Sequence, residues 1–113
     1  MALTQADART AAQVRAALDA QSDAMIADLA DFVNCESPSL EVDRIRASAE
    51  WLANLMTRVL GKAPELIESE RGPHVHWKGS NDTKVLVVGH HDTVFPLGTV
   101  ARRPFTRDGN IGR

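Results

Sequence analysis

The chain has 113 residues, 43% hydrophobic, 25% charged and 4% aromatic, which is material for one small globular domain. Its 13 Lys and Arg stand against 15 Asp and Glu, a net charge of −2 that excludes the strongly basic balance of a nucleic-acid binder. The single cysteine, Cys35, rules out an intrachain disulfide and a cysteine-built zinc site, and it fits a reducing compartment.

The N-terminus, Met1-Ala2-Leu3-Thr4-Gln5-Ala6-Asp7, has neither the basic start nor the apolar run of a secretory signal, so the expected location is cytoplasmic. The longest clean apolar run, Val85-Leu86-Val87-Val88, falls far short of the roughly 18 residues of a membrane span. Charge is uneven along the chain. Residues 1–70 carry 6 basic and 12 acidic side chains, whereas residues 71–113 carry 7 and 3.

The first half reads as helix. Val14, Leu18, Met25, Leu29, Phe32 and Val33 recur at steps of three, four or seven and form an apolar stripe, with Arg15, Asp19, Asp23, Asp28 and Asp31 mostly outside it. This amphipathic helix is expected to stop near Asn34–Ser37, because Pro38 disfavours helical geometry in the residue before it. A second helix is expected next, with Ser39 as N-cap, Glu41 and Asp43 in its first turn and Gly61 as its stop. Its buried face would consist of Val42, Ile45, Ala49, Leu52, Met56 and Val59.

Beyond Pro64 the pattern changes to strand and loop. Glu65-Leu66-Ile67-Glu68 is a short strand candidate, closed by turn residues at Arg71-Gly72-Pro73. His74-Val75-His76-Trp77 alternates polar and apolar, as a strand wet on one face does, and Gly79-Ser80-Asn81-Asp82 is a turn cluster. Val85–Val88 is apolar without alternation and β-branched at three of four positions, which predicts an interior strand covered by helices on both faces. The predicted fold class is therefore α/β, with helices packed on a mixed β-sheet.

That strand runs straight into Gly89-His90-His91-Asp92-Thr93-Val94. Ligand-binding groups collect at the carboxyl ends of strands in open α/β sheets. Strand alternation puts His90 and Asp92 on one face and His91 on the other. A histidine that binds a metal through one ring nitrogen usually donates its other N–H to an oxygen acceptor, and Asp92 lies near enough in sequence to serve. A bare His-x-Asp reads more readily as a hydrogen-bonded surface pair at a strand end than as a metal site, because short motifs match by chance.

The longer context is more specific. Val85-Leu86-Val87-Val88-Gly89-His90-His91-Asp92-Thr93-Val94-Phe95-Pro96-Leu97-Gly98-Thr99 resembles the first metal-binding motif of the M20 family of zinc aminoacylases and carboxypeptidases, with the Phe-Pro-x-Gly-Thr continuation closest to the glutamate carboxypeptidase branch. Phe32-Val33-Asn34-Cys35-Glu36-Ser37-Pro38-Ser39 and Arg103-Pro104-Phe105 ahead of Asp108-Gly109 resemble that family's catalytic domain as well. The likeness runs from about Ala24 to Arg113, leaving residues 1–23 as a helical extension.

The resemblance implies that residues 1–113 are the N-terminal part of one zinc-peptidase-like catalytic domain. It implies that His90 is a ligand to one of two zinc ions, although other divalent metals would also suit, and that Asp92 has a catalytic role in holding or orienting the site. It also implies a peptide or N-acyl amino acid substrate and a homodimer for the complete enzyme. Two metal ions roughly 3.5–4 Å apart would share and activate a water for amide hydrolysis, with a Glu as general base. The bridging Asp, the paired Glu residues and the last His of the family are expected beyond Arg113. On that reading residues 1–113 alone are catalytically silent, since one His and one carboxylate do not make up the four donors of a zinc site. The alternative is a small non-catalytic α/β binding or assembly module in which His-His-Asp is structural.

Other residues invite the same weighing. His74 and His76 share a strand face and form a possible two-histidine metal site, but alternation alone places polar residues there and they are expected to face solvent. Cys35, at a helix C-terminus where the dipole raises a thiol pKa, reads as a buried bystander. Arg102, Arg103, Arg107 and Arg113 suit a substrate carboxylate, yet four arginines on a loop are more often solvated. Met25 and Met56 fit helix core stripes, and Trp51 fits packing at the edge of the second helix.

Overall fold

The computed structural model describes residues 5–82 and 84–113, so Met1–Thr4, read above as lacking a signal, lie outside the described residues. The chain divides into two compact units, one ending at Asp31 and the other running from Phe32 to Arg113.

The first unit is helical. The stripe predicts one continuous helix, but the structure has two, α1 (Gln5–Ala20) and α2 (Ser22–Asn34). At the break the Gln21 N–H turns back to the Leu18 carbonyl at 3.0 Å, a three-residue step, and the Gln21 carbonyl accepts from Met25 N–H at 2.9 Å to start the next helix. The local residue types explain it, since Ser22 and Asp23 favour a helix start and Asp23 lies in the first turn of α2. Val14, Leu18, Met25 and Leu29 stay about half exposed. The helix ends at Asn34, as the following Pro38 predicts.

The second unit is organised on α3 (Val42–Leu60). Its start corrects the expected cap. Glu41, not Ser39, occupies the N-cap position, without a side-chain cap, because the Ser39 hydroxyl is bound elsewhere. Its stop is as expected: Gly61 adopts φ 72° and returns its N–H to the Thr57 carbonyl. Of the predicted apolar face, Ile45 and Ala49 are buried together with Ser48, while Val42 and Val59 are exposed. Phe32 stacks on Trp51 with ring centroids 4.9 Å apart, which gives Trp51 its packing role.

Against α3 lies an antiparallel hairpin, β1 (Glu65–Ile67) and β2 (His74–His76), paired Glu65 with His76, Leu66 with Val75 and Ile67 with His74. Leu66 and Val75 form its half-buried side, and the two histidines are on the exposed side, as alternation predicts. Gly72 turns the chain at φ 102° directly under Ile45, and Pro73 beside it is fully buried. Arg46 clamps Glu68 with two hydrogen bonds of 3.0 and 2.6 Å, and Trp77 Nε1 donates to the Lys62 carbonyl, tying the hairpin to both ends of the helix.

The expected interior strand is not formed. Val85, Leu86, Val87 and Val88 are 75–88% exposed and pair with no strand among the described residues. Strand propensity becomes a strand only where a neighbour completes the hydrogen-bond ladder. Here β1 and β2 pair with each other, and the last strands, β3 (Arg107–Asp108) and β4 (Ile111–Gly112), close on themselves around Gly109. Among the described residues the architecture is thus helices with two separate two-stranded antiparallel sheets, an α and β mixture in place of the single mixed sheet expected. A short helix, α4 (Thr99–Arg102), precedes β3. No helix among the described residues is long and apolar enough to cross a membrane.

Candidate functional site

Although Val85–Val88 pairs with no strand among the described residues, the residues that follow are held firmly. Thr93 N–H donates to the Ser37 carbonyl at 2.8 Å and Ser39 N–H to the Thr93 carbonyl at 3.0 Å, an isolated parallel bridge between Pro38 and Thr93. The buried Ser37 hydroxyl donates to the His91 carbonyl at 2.6 Å. Ser39 Oγ lies 2.7 Å from Asp92 Oδ2 and 3.0 Å from the Thr93 carbonyl. The Ser-Pro-Ser segment after α2 therefore serves as the clasp for His-His-Asp.

The three site residues then separate by face. His90 Nδ1 sits 2.9 Å from the Asp92 carbonyl oxygen and 3.4 Å from Asp92 Oδ1. Both neighbours are acceptors, so in a neutral ring Nδ1 carries the proton and Nε2 presents a lone pair. His90 is largely exposed. His91 turns the other way, with Nδ1 3.2 Å from the hydroxyl of the fully buried Ser48 on α3. The Ser39 hydroxyl, foremost, and then the Asp92 backbone N–H and His90 hold the Asp92 carboxyl below its ordinary range. It is a carboxylate at neutral pH.

A cavity of about 660 Å³ opens beside this turn, lined among others by Cys35, His90, Asp92, Phe95, Arg103 and Arg113. Glu36 braces its wall: its carboxylate accepts Val100 N–H at 2.9 Å and Gly98 N–H at 3.0 Å, and these bonds lower its pKa. Asn34 Oδ1 accepts Phe105 N–H at 3.1 Å on the same side. Cys35 is half-buried and its burial pushes the thiol pKa up against the opposing pull of Arg44, so it is a poor nucleophile. Arg102, Arg103 and Arg113 line the cavity, whereas Arg107 donates to the Gly109 carbonyl.

As a place for a metal, the turn supplies one imidazole, correctly oriented through Nδ1, and one ionised carboxylate. The donor chemistry fits one corner of a zinc site. Among the described residues no three His, Cys, Asp or Glu side chains converge to hold an ion.

Sequence reasoning named His90, His91 and Asp92 as site residues, but gave Ser39 only as a helix cap and Glu36 and Ser37 only within the segment that resembles the family, and it missed Ser48. Their signal was faint: short hydroxyl side chains flanking a proline readily bond to backbone, but nothing local tells which backbone. No protein family, curated protein or solved structure matches this chain.

Proposed function

We propose that these residues are the N-terminal part of the catalytic domain of a di-zinc metallohydrolase of the M20 type, cleaving peptide or N-acyl amino acid amide bonds in the cytoplasm. The observation that carries the reading is the orientation of His90, whose Nδ1 faces two oxygens of Asp92 and whose Nε2 is left to bind. His90 would ligate the metal. Asp92 would fix the tautomer and raise the basicity of Nε2, and Ser39 would keep Asp92 ionised and aimed. His91, anchored on Ser48, would set the turn without touching the metal. When bound, the metals would supply a hydroxide near neutral pH and stabilise the oxyanion of the tetrahedral intermediate. A cavity of about 660 Å³ is in the range that holds small molecules, which suits a short peptide or acylated amino acid.

This reading needs donors and a general base that these residues do not provide, and it therefore assigns them to sequence following Arg113. The test is to read the coding sequence past Arg113, express the longer product and measure zinc content and amide hydrolysis in three variants. His90→Ala should lose metal and nearly all turnover. Asp92→Asn should lose about 10- to 100-fold in affinity or activity, the usual range for a residue that orients a ligand. His91→Ala should keep its metal. Metal loss in His91→Ala but not His90→Ala would overturn the assignment, and a longer product with neither metal nor turnover would favour the non-catalytic module.

A further inference from the structure

A second pair of histidines lies far from His90 in sequence, on the exposed side of the β1–β2 hairpin. Residues at i and i+2 of a strand share a face and stand about 6.6 Å apart along the chain, close enough for two imidazoles to bend toward one ion. The pairing of Glu65 with His76 and Ile67 with His74 fixes both histidines on that face, because the register with β1 is set on both sides of Leu66–Val75. Both are exposed. His76 Nδ1 lies 3.9 Å from Glu65 Oε2, within ion-pair range and beyond a direct hydrogen bond, so the carboxylate faces the ring nitrogen that does not need to ligate. His76 thus repeats, more loosely, the carboxylate-facing arrangement of His90.

We propose that His74 and His76 form a two-histidine chelate for a borderline divalent transition ion, with Glu65 as the outer partner of His76 and water completing the coordination. Imidazole nitrogen suits copper, nickel and zinc, and copper(II) binds such donors most tightly in the divalent series. The two rings are the ligands and Glu65 is not, since no three such side chains converge among the described residues. The strand pairing holds the donors on one face before the ion arrives, which reduces the ordering cost of binding. The site does not depend on the metallohydrolase reading.

The probe is copper(II) alone, titrated into the 113-residue chain, with affinity from calorimetry and ligand nitrogens counted by electron paramagnetic resonance. A two-nitrogen signal is expected. His74→Ala and His76→Ala should each reduce it to one nitrogen and weaken binding roughly 100-fold, the scale of gain from tethering two donors. Both side chains are exposed, so circular dichroism should show an unchanged fold. His90→Ala and His91→Ala should leave this signal intact. Unchanged binding in His74→Ala and His76→Ala, or loss of the two-nitrogen signal in His90→Ala, would overturn the proposal.

Discussion

Two glycines with positive φ separate backbone strain from steric crowding, and replacing each by alanine tests how the hairpin is seated on α3. At Gly61, φ is 72° and an added Cβ meets nothing within 4 Å. Gly61→Ala therefore costs only the left-handed backbone conformation, about 1–2 kcal/mol. At Gly72, φ is 102° and an added Cβ would lie 2.5 Å from Ile45 Cγ2 and 2.9 Å from Ile45 Cβ. Ile45 is 5% exposed and belongs to the small buried core, so it has little room to withdraw. Overpacking adds about 1–3 kcal/mol to a similar backbone cost, giving about 2–5 kcal/mol for Gly72→Ala. A unit of about 80 residues has a total stability of about 4–12 kcal/mol, so this substitution removes a large share of it. Urea denaturation followed by circular dichroism reads the difference: with a slope of about 1 kcal/mol/M, the midpoint should fall by about 1–2 M for Gly61→Ala and about 2–5 M for Gly72→Ala. Equal shifts would show that Ile45 does not pack over Gly72, and the placement of β2 against α3 would be wrong.

Ser39→Ala should move the Asp92 pKa up toward the ordinary carboxylate range, because the Ser39 hydroxyl is the main cause of its depression; a carbon-13 titration of the Asp92 carboxyl that shows no change would sink this. The carboxyls of Glu36, Glu68 and Asp92 are all depressed in the folded chain, so their contribution is complete above the unfolded carboxylate pKa of about 4 and is lost as pH falls through their lower folded values. Urea midpoints should therefore be flat in this respect from pH 7 to 5 and drop below about pH 4, with a smaller drop in Glu36→Gln; a midpoint that rises on acidification would contradict the assignment. The exposed, uncharged Val85–Val88 segment, paired with no strand among the described residues, should drive strand-to-strand self-association, which Val87→Lys should reduce in sedimentation velocity. A wild-type chain that stays monomeric at high concentration would count against it.

Where the sequence could be read, local chemistry was sufficient. Gly61 stops α3 because a left-handed residue closes its last turn, and the alternation of His74, Val75 and His76 gives a strand with one wet face. Both signals are complete within a few residues. The failures involve partners that no local pattern names. Ser39 has the chemistry of an N-cap, yet its hydroxyl lies 2.7 Å from a carboxylate 53 residues away, and the helix starts three residues later. Val85–Val88 has the composition of a buried strand, but burial is a property of neighbours, and the described residues provide neither a ladder nor a cover. The break at Gln21 shows the converse case, in which a correct apolar stripe conceals two helices because periodicity passes unchanged through a tight turn.

The separation of His90 from His91 was expected from alternation in a strand, but the strand supporting that argument is not formed. What produces the separation is hydrogen bonding from the opposite segment. Ser37 fixes the His91 carbonyl and the Thr93 N–H, Ser39 fixes Asp92 and the Thr93 carbonyl, and these anchors hold residues 91–93 extended whether or not residues 85–88 are paired. Extended backbone then places consecutive side chains on opposite sides, so His91 meets Ser48 on α3 while His90 and Asp92 share the outer side. Each bond of this kind contributes only about 0.5–1.5 kcal/mol, but Ser37 and Ser48 are buried and their partners would be costly to strand without them. The geometry at His90 is therefore a property of the clasp between residues 37–39 and 91–93, and substitutions in that clasp should disturb the Asp92 pKa and the orientation of His90 more than substitutions within Val85–Val88 do.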